Sequence, residues 1–376
     1  MIKQKDLLND TMKKPMELFK PSDFCGRTSK DIKFDFIFLR FLGASFLKLA
    51  VCSILFFSCE EPKDSITVIT DPEFQSIEIN ANQFATHYYS LGQKKTISSN
   101  KITDWDLRFC AQNDKYYIYL NTTKNMRIAR YDGNFSDTIA AADIKNWQLD
   151  IMKSGKCMSA MGNWGDFSFS NPKSFGYTYI IDMGYINFVN EFGYLKIEVL
   201  GFTNGHYTLK FGLLNDPNGD TIAIEKKNEF DYMYLQLLPK AKVVNIEPPS
   251  SQWDLVFTQY GLSSQVIKNG TIVDTGFTWT DMILLNSNGR TIAVDTLKEF
   301  DKITFWDAEK YIYDNAIDYI GNKWRFFNFQ NKAYEVTKKN IYVVKKSDNR
   351  IYKIELKSVD KSIPGITKIG FKVKNL

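Results

Sequence analysis

The chain has 376 residues, enough for two or three domains with cores of their own. Its formal charge of +5 is unevenly placed: residues 1–58 hold 10 Lys/Arg against 6 Asp/Glu, and the remainder holds 38 against 37. That near-neutral remainder lacks the concentrated basic face that nucleic-acid binding needs. Five cysteines with no Cys-x-x-Cys spacing, beside only two histidines, argue against a structural zinc site.

Residues 1–36 are polar, charged and without a sustained period. Basic Arg40 and Lys48 then precede an apolar run from Leu49 to Phe57. At about 1.5 Å per residue this run is too short for a bilayer core of about 30 Å, but it suits the core of a signal peptide. It ends in Ser58-Cys59, which resembles the lipobox of bacterial lipoproteins, although Phe57 departs from the usual small residue. The resemblance implies a leader and signal peptide over 1–58, removed on maturation, and a lipid anchor of palmitate-like chains on Cys59. Residues 59–72 read as a tether with Pro62 and Pro72. The acids Glu60, Glu61 and Asp64 resemble the signal that sends some lipoproteins to the outer face of the outer membrane, and read equally as a solvated linker.

From residue 73 the chain reads as all-β. Phe and Tyr, both strand formers, dominate its aromatic residues. Tyr116-Tyr-Ile-Tyr-Leu120 and Tyr177-Thr-Tyr-Ile-Ile181 are strand-forming runs, and Leu195, Ile197 and Val199 alternate with Lys196 and Glu198, giving one dry and one wet face. Thr203-Asn-Gly-His206 predicts a hairpin into Tyr207–Phe211. A second cycle runs through Phe230–Leu235, Asn340–Val344, Ile351–Leu356 and Thr367–Val373. The one helix predicted covers Asp307–Ile320, with apolar residues near 308, 312, 316 and 320.

Two echoes point to a duplication. Thr103-Asp-Trp-Asp-Leu-Arg-Phe109 returns as Ser251-Gln-Trp-Asp-Leu-Val-Phe257 at an offset of 148, and Lys196-Ile-Glu198 returns as Lys353-Ile-Glu355 at 157. In the Trp-Asp-Leu segments, period-2 alternation places Trp with Leu and Phe on one side and Asp with the variable residue on the other. Two tandem domains are therefore expected, 73–229 and 230–376. A third echo, Asn218-Gly-Asp-Thr-Ile-Ala with Asn288-Gly-Arg-Thr-Ile-Ala, has an offset of 70 that the duplication does not explain. Trp105 and Trp253 are expected as core anchors, with Asp106 and Asp254 satisfying turns or backbone donors. Cys110 and Cys157 either pair in an oxidising compartment or remain buried thiols; their spacing leaves both open.

With the lipobox, both Trp-Asp-Leu strands, Asn340-Ile-Tyr-Val-Val344, Ile351-Tyr-Lys-Ile-Glu-Leu356 and Gly365-Ile-Thr-Lys-Ile-Gly-Phe371, the chain resembles the HmuY family of haem-binding surface lipoproteins. The resemblance implies two tandem antiparallel β domains, an apolar haem cleft and a partner TonB-dependent receptor in the outer membrane. Family members that bind haem use side-chain donors, often a histidine pair, between the Trp-Asp strand and the closing strands. Here 110–193 and 258–350 contain no histidine; His87 and His206 lie elsewhere and read as hydrogen-bonded strand or turn residues. Methionine also ligates haem iron, so Met152, Met158 and Met161 are the candidate haem ligands, with core filling as the other reading.

No nucleophile elbow, phosphate-binding glycine loop or His-Glu-x-x-His helix is present. Asp104 with Asp106, and Glu299 with Asp301, read as solvated acids, not as a catalytic pair across a cleft. The expectation is a non-enzymatic, lipid-anchored binding protein for haem or iron acquisition. The alternative is a surface module that binds glycan or protein through exposed aromatics.

Overall fold

The computed structural model describes residues 72–376 apart from 81, 82, 84, 187–189, 269, 270 and 287. The leader, Cys59 and the tether up to residue 71 lie outside the described residues.

The fold is all-β, built from antiparallel pairs, as the alternating pattern predicts. Its first cycle holds β1 (Phe74–Asn80), β2 (Thr86–Ser90), β3 (Lys95–Asn100), β4 (Leu107–Cys110), β5 (Ile118–Leu120), β6 (Arg127–Tyr131), β7 (Thr178–Asp182), β8 (Tyr194–Thr203) and β9 (His206–Gly212). The second repeats the series as β10 (Asp220–Glu225), β11 (Tyr232–Gln236), β12 (Lys242–Val244), β13 (Leu255–Lys268), β14 (Thr271–Leu285), β15 (Arg290–Asp295), β16 (Ile341–Lys346), β17 (Ile351–Asp360) and β18 (Ile366–Asn375). Short hairpins, among them Ile151–Lys153 with Lys156–Met158 and Arg325–Asn328 with Ala333–Val336, interrupt the two cycles at comparable places.

Two sheets share one spatial order. In the first, β10, β9, β8, β7 and β6 pair in succession; in the second, β1, β18, β17, β16 and β15 do so. The irregularities repeat as well. A bulge between Val199 and Gly201 in β8 has its counterpart between Leu356 and Ser358 in β17. A bulge inserts one residue and re-aims those after it, so its recurrence at equivalent positions is structural support for the duplication.

The Lys-Ile-Glu echo also has a physical basis. Lys196 and Lys353 are buried, and each ammonium donates to two backbone carbonyls: Lys196 Nζ to Asp137 O (2.7 Å) and Leu214 O (3.2 Å), Lys353 Nζ to Phe300 O (2.5 Å) and Ile303 O (3.0 Å). Each ammonium lies over a phenyl ring, Phe135 at 5.0 Å and Phe300 at 4.7 Å. Burial pushes both lysine pKa values down. The alternating pattern assigns Lys196 to a wet face; the charged ends of both lysines instead tie down loop carbonyls.

Strand pairing does not follow the expected division at 229/230. The opening strands of each cycle pair with the other cycle: β2 pairs with β13, Leu255 opposite Tyr89, whereas β11 pairs with β4, Leu107 opposite Leu235. At the edges, β1 joins β18 and β10 joins β9. One body is therefore continuous, from about Lys101 to Ile246, and the other is assembled from 73–100 and the chain after Pro249. The two main cores divide in the same way. One draws on Leu107 to Leu237; the other combines Ile77, Ile79, Tyr89 and Leu91 with residues from Leu255 to Val373.

The predicted helix over Asp307–Ile320 is not formed. A single α-helical turn, Phe305–Ala308, is capped by Thr304 and Asp307 in a capping box. The chain then turns and Asp314 bridges to Ile292 at the edge of β15. Ala308 and Ile320 are buried but Ile312 is 93% exposed, so the four-residue spacing was coincidental. Tyr, Ile, Asp and Asn between 311 and 315 are weak helix formers, and the available sheet edge offers their backbone other partners. The Asn-Gly echo is likewise a reused turn: β10 and β15 follow it, but they occupy non-equivalent edges.

Candidate functional site: the cavity between the two Trp-Asp-Leu strands

Each Trp-Asp-Leu segment carries an aspartate that holds the exchanged strand of the other cycle. Asp106 Oδ2 accepts the Leu237 N–H at 2.6 Å, and Asp254 Oδ2 accepts the Leu91 N–H at 2.8 Å. The other carboxylate oxygen faces buried cations, Lys124 for Asp106, and both Arg290 Nε (3.0 Å) and Lys346 Nζ (2.9 Å) for Asp254. Asn121 and Asn286 complete the pair: each Nδ2 donates to two carbonyls, Ile102 and Trp105 in one copy, Ser250 and Trp253 in the other. Backbone capping by Asp106 and Asp254 was legible in the sequence. Their cationic partners were not, because Lys124, Arg290 and Lys346 lie at unrelated spacings.

The tryptophans do not join Leu107, Phe109, Leu255 and Phe257 in the main cores, as strict alternation had suggested. Both precede their strands and pack in a separate cluster with Tyr88, Tyr234, Ile246 and Val256. Tyr88 meets Trp253 edge to face (5.1 Å, 78°), Trp105 meets Tyr234 likewise (5.1 Å, 84°), and the two tyrosine hydroxyls touch at 3.1 Å. Exchange of β2 and β11 is what brings these four rings together.

Around them lies a cavity of about 110 Å³, lined by Tyr88, Trp105, Arg108, Tyr234, Trp253 and Tyr260 among others. Arg108 and Val256 are the variable residues of the two Trp-Asp-Leu repeats, and both face it. Arg108 has its guanidinium over the rings of Tyr232 (4.4 Å) and Tyr119 (5.1 Å), and one terminal nitrogen lies 3.6 Å from Cys157 Sγ. Its Nε has no hydrogen-bond partner, nor do Trp253 Nε1 and Asn100 Oδ1, buried atoms of two other lining residues. Buried polar atoms are normally paired, so four unpaired ones, the Tyr260 hydroxyl being the fourth, among the residues lining one void mark it as more than a packing defect.

The nearby acids are already engaged. Glu247 accepts the Asp231 N–H (2.6 Å) and the Tyr234 hydroxyl (3.2 Å); burial pushes its pKa up to about 8. Asp150 accepts the Leu120 and Ala160 N–H groups (2.6 and 2.7 Å), and burial pushes its pKa up to about 7. Asp231 Oδ1 accepts from Gln112 and Asn288. Burial also raises the tyrosine pKa values of Tyr88, Tyr234 and Tyr260, so these hydroxyls are neutral donors.

The three candidate methionines do not converge. Met152 lines the cavity, Met161 is buried in the core of the continuous body, and Met158 is half exposed. Met152 pairs with Cys157 across a tight hairpin in which Met158 pairs with Ile151, so Met152 and Met158 lie on opposite faces. Cys110 and Cys157 are free thiols with pKa values raised by burial. His87 bonds through Nδ1 to Ser99 Oγ (2.8 Å) on β3, and His206 to Asn204 O (2.8 Å) at the hairpin turn. Among the described residues, no group of three His, Cys, Asp or Glu is placed to hold a metal ion.

No protein-family profile and no curated protein matches the chain. Among solved structures it is similar to apo PinO from Porphyromonas gingivitis, at 15% identity and a TM-score of 0.21, over 42% of this chain and 86% of that one.

Proposed function

We propose that this protein is a non-enzymatic binding protein of HmuY-like build, tethered by an acylated Cys59 to the outer membrane and exposed at the cell surface, delivering its ligand to a TonB-dependent receptor. The anchoring rests on the Leu49–Phe57 core followed by Ser58-Cys59. The binding role rests on one observation: the cavity between the two Trp–Tyr pairs, whose lining residues include several with buried polar atoms that find no partner within the protein.

Haem is not the ligand this cavity favours. Its 110 Å³ falls below the roughly 300–1,000 Å³ of sites for drug-sized molecules, and Met152, Met158 and Met161 do not meet around a common point. Scaled from the roughly 150 Å³ that accepts benzene, it suits a ligand of about four to six non-hydrogen atoms.

Calorimetric titration of the intact protein with haem, acetate, lactate and acetamide tests the assignment. Binding of one of the small solutes that disappears in the cavity-filling variant Val256→Phe supports it. A solute that binds wild type and Val256→Phe equally, or no binding by any of the four, refutes it. The absence of radiolabelled palmitate on the wild-type protein would refute the anchoring.

A second reading is favoured by the hairpin Arg325–Val336, which presents Phe326, Phe327 and Phe329 to solvent, Phe329 being 83% exposed. Aromatic faces of this kind suit stacking on a glycan or packing on a protein partner.

A further inference from the structure

The ligand class of the cavity follows from a charged asymmetry between its two Trp-Asp-Leu repeats. Where the second Trp-Asp-Leu repeat places Val256, the first places Arg108, so the pseudo-symmetric position supplies no countercharge. A guanidinium carries five donors and stays protonated at any physiological pH. At Arg108 one donor reaches a thiol and Nε reaches nothing. The rings of Tyr119 and Tyr232 hold its plane in place, which is the preorganised fork that binds a carboxylate through two parallel hydrogen bonds.

The remaining lining fits the rest of such a molecule. Glu247, Asp231 and Asp150 are held by backbone, amide and hydroxyl donors; the Arg108 charge reaches Glu247 and Asp150, but none of the three forms a salt bridge with the guanidinium. Trp253 and Asn100 line it with buried polar atoms that lack partners, and the tryptophan and tyrosine rings supply a dry wall.

We propose that the cavity is a receptor site for a small monocarboxylate of two or three carbons, with its carboxylate on the Arg108 guanidinium and its short carbon end against the Trp105–Tyr234 and Tyr88–Trp253 pairs. This rests on the cavity being the binding site, and it adds the charge and size of what enters. The ceiling on affinity for a ligand of four non-hydrogen atoms is a Kd of about tens of micromolar, and for six about a few tenths of a micromolar, so the titrations run from the micromolar into the millimolar range.

The test uses the intact protein at constant ionic strength, titrated with acetate, lactate, acetamide, phosphate and sulfate. The expected result is saturable binding of acetate or lactate, with acetamide at least tenfold weaker. Arg108→Lys weakens acetate about tenfold because a point charge replaces the fork, and Arg108→Met abolishes acetate binding. The unfolding midpoint of Arg108→Lys reports whether its fold survives, and its acetamide affinity, unchanged from wild type, shows that the cavity persists. Equal affinity for acetate and acetamide overturns the carboxylate assignment while leaving the cavity a binding site. Phosphate or sulfate binding without acetate binding also overturns it, in favour of a tetrahedral oxyanion. No binding by any of the five, with wild type and Val256→Phe alike, overturns this inference and the binding role together.

Discussion

Replacing Asp254 by alanine removes the tie on which the split body depends. The carboxylate is fully buried and makes three interactions: with Arg290 at 3.0 Å, Lys346 at 2.9 Å and the Leu91 N–H at 2.8 Å. Breaking a buried ion pair from one side costs about 3–5 kcal/mol, and an orphaned buried N–H about 1–3 kcal/mol. These losses overlap, so about 4–6 kcal/mol is expected, a large share of the roughly 5–15 kcal/mol that holds a typical fold. Asp106→Ala strands only one cation, Lys124, besides the Leu237 N–H, and is expected to cost about 3–5 kcal/mol. Urea unfolding followed by tryptophan emission measures both. Because Leu91 follows the exchanged β2, limited proteolysis adds a local readout: Asp254→Ala speeds cleavage between Leu91 and Trp105, and Asp106→Ala does not. A loss under about 1 kcal/mol for Asp254→Ala, or a greater loss for Asp106→Ala, would show that these charges do not hold the exchanged strands.

Two further outcomes follow from the geometry. Glu247 has an ordinary carboxyl pKa when unfolded and one near 8 when folded. Between about pH 4.5 and 8 the folded state therefore holds a proton that the unfolded state has lost, and this group's contribution falls by roughly 1.4 kcal/mol per pH unit as pH rises. Glu247→Gln keeps an acceptor for the Asp231 N–H, flattens that slope and raises the melting temperature at pH 8 relative to wild type; an unchanged slope contradicts the burial argument. Residues 101–247, which contain a complete core, are expected to fold alone. Residues 230–376 are not, since Ile77, Ile79, Tyr89 and Leu91 are missing from their core, and adding a peptide of residues 73–100 restores folding. Cooperative unfolding of 230–376 by itself would contradict the exchanged pairing.

The local signals in this chain were reliable where they concerned a single strand. Alternation at Leu195–Val199, the Asn204-Gly205 turn and the runs at Tyr177–Ile181 and Ile351–Leu356 all fall in strands or hairpins, the first run as the strand Thr178–Asp182. The Asp307–Ile320 helix failed because apolar spacing cannot reveal that a neighbouring edge strand offers a bridge to Asp314. The cavity was half legible: Arg108 in place of Val256 is visible on comparing the repeats, but its significance depends on what faces it.

The sequence alone determined that the body is all-β and duplicated, because side-chain alternation and repeated motifs are properties of neighbouring residues and survive without tertiary context. Only the tertiary structure decided that β2 belongs with β13 and β11 with β4. Both cycles carry near-equivalent strands, so local preference is the same for pairing within a cycle or across the two; the choice lies in long-range register, in which hydrophobic face is covered, and in where the Asp106 and Asp254 carboxylates find their N–H donors and cations. The same choice sets four aromatic rings around one void and leaves Arg108 there without a salt bridge among the described residues.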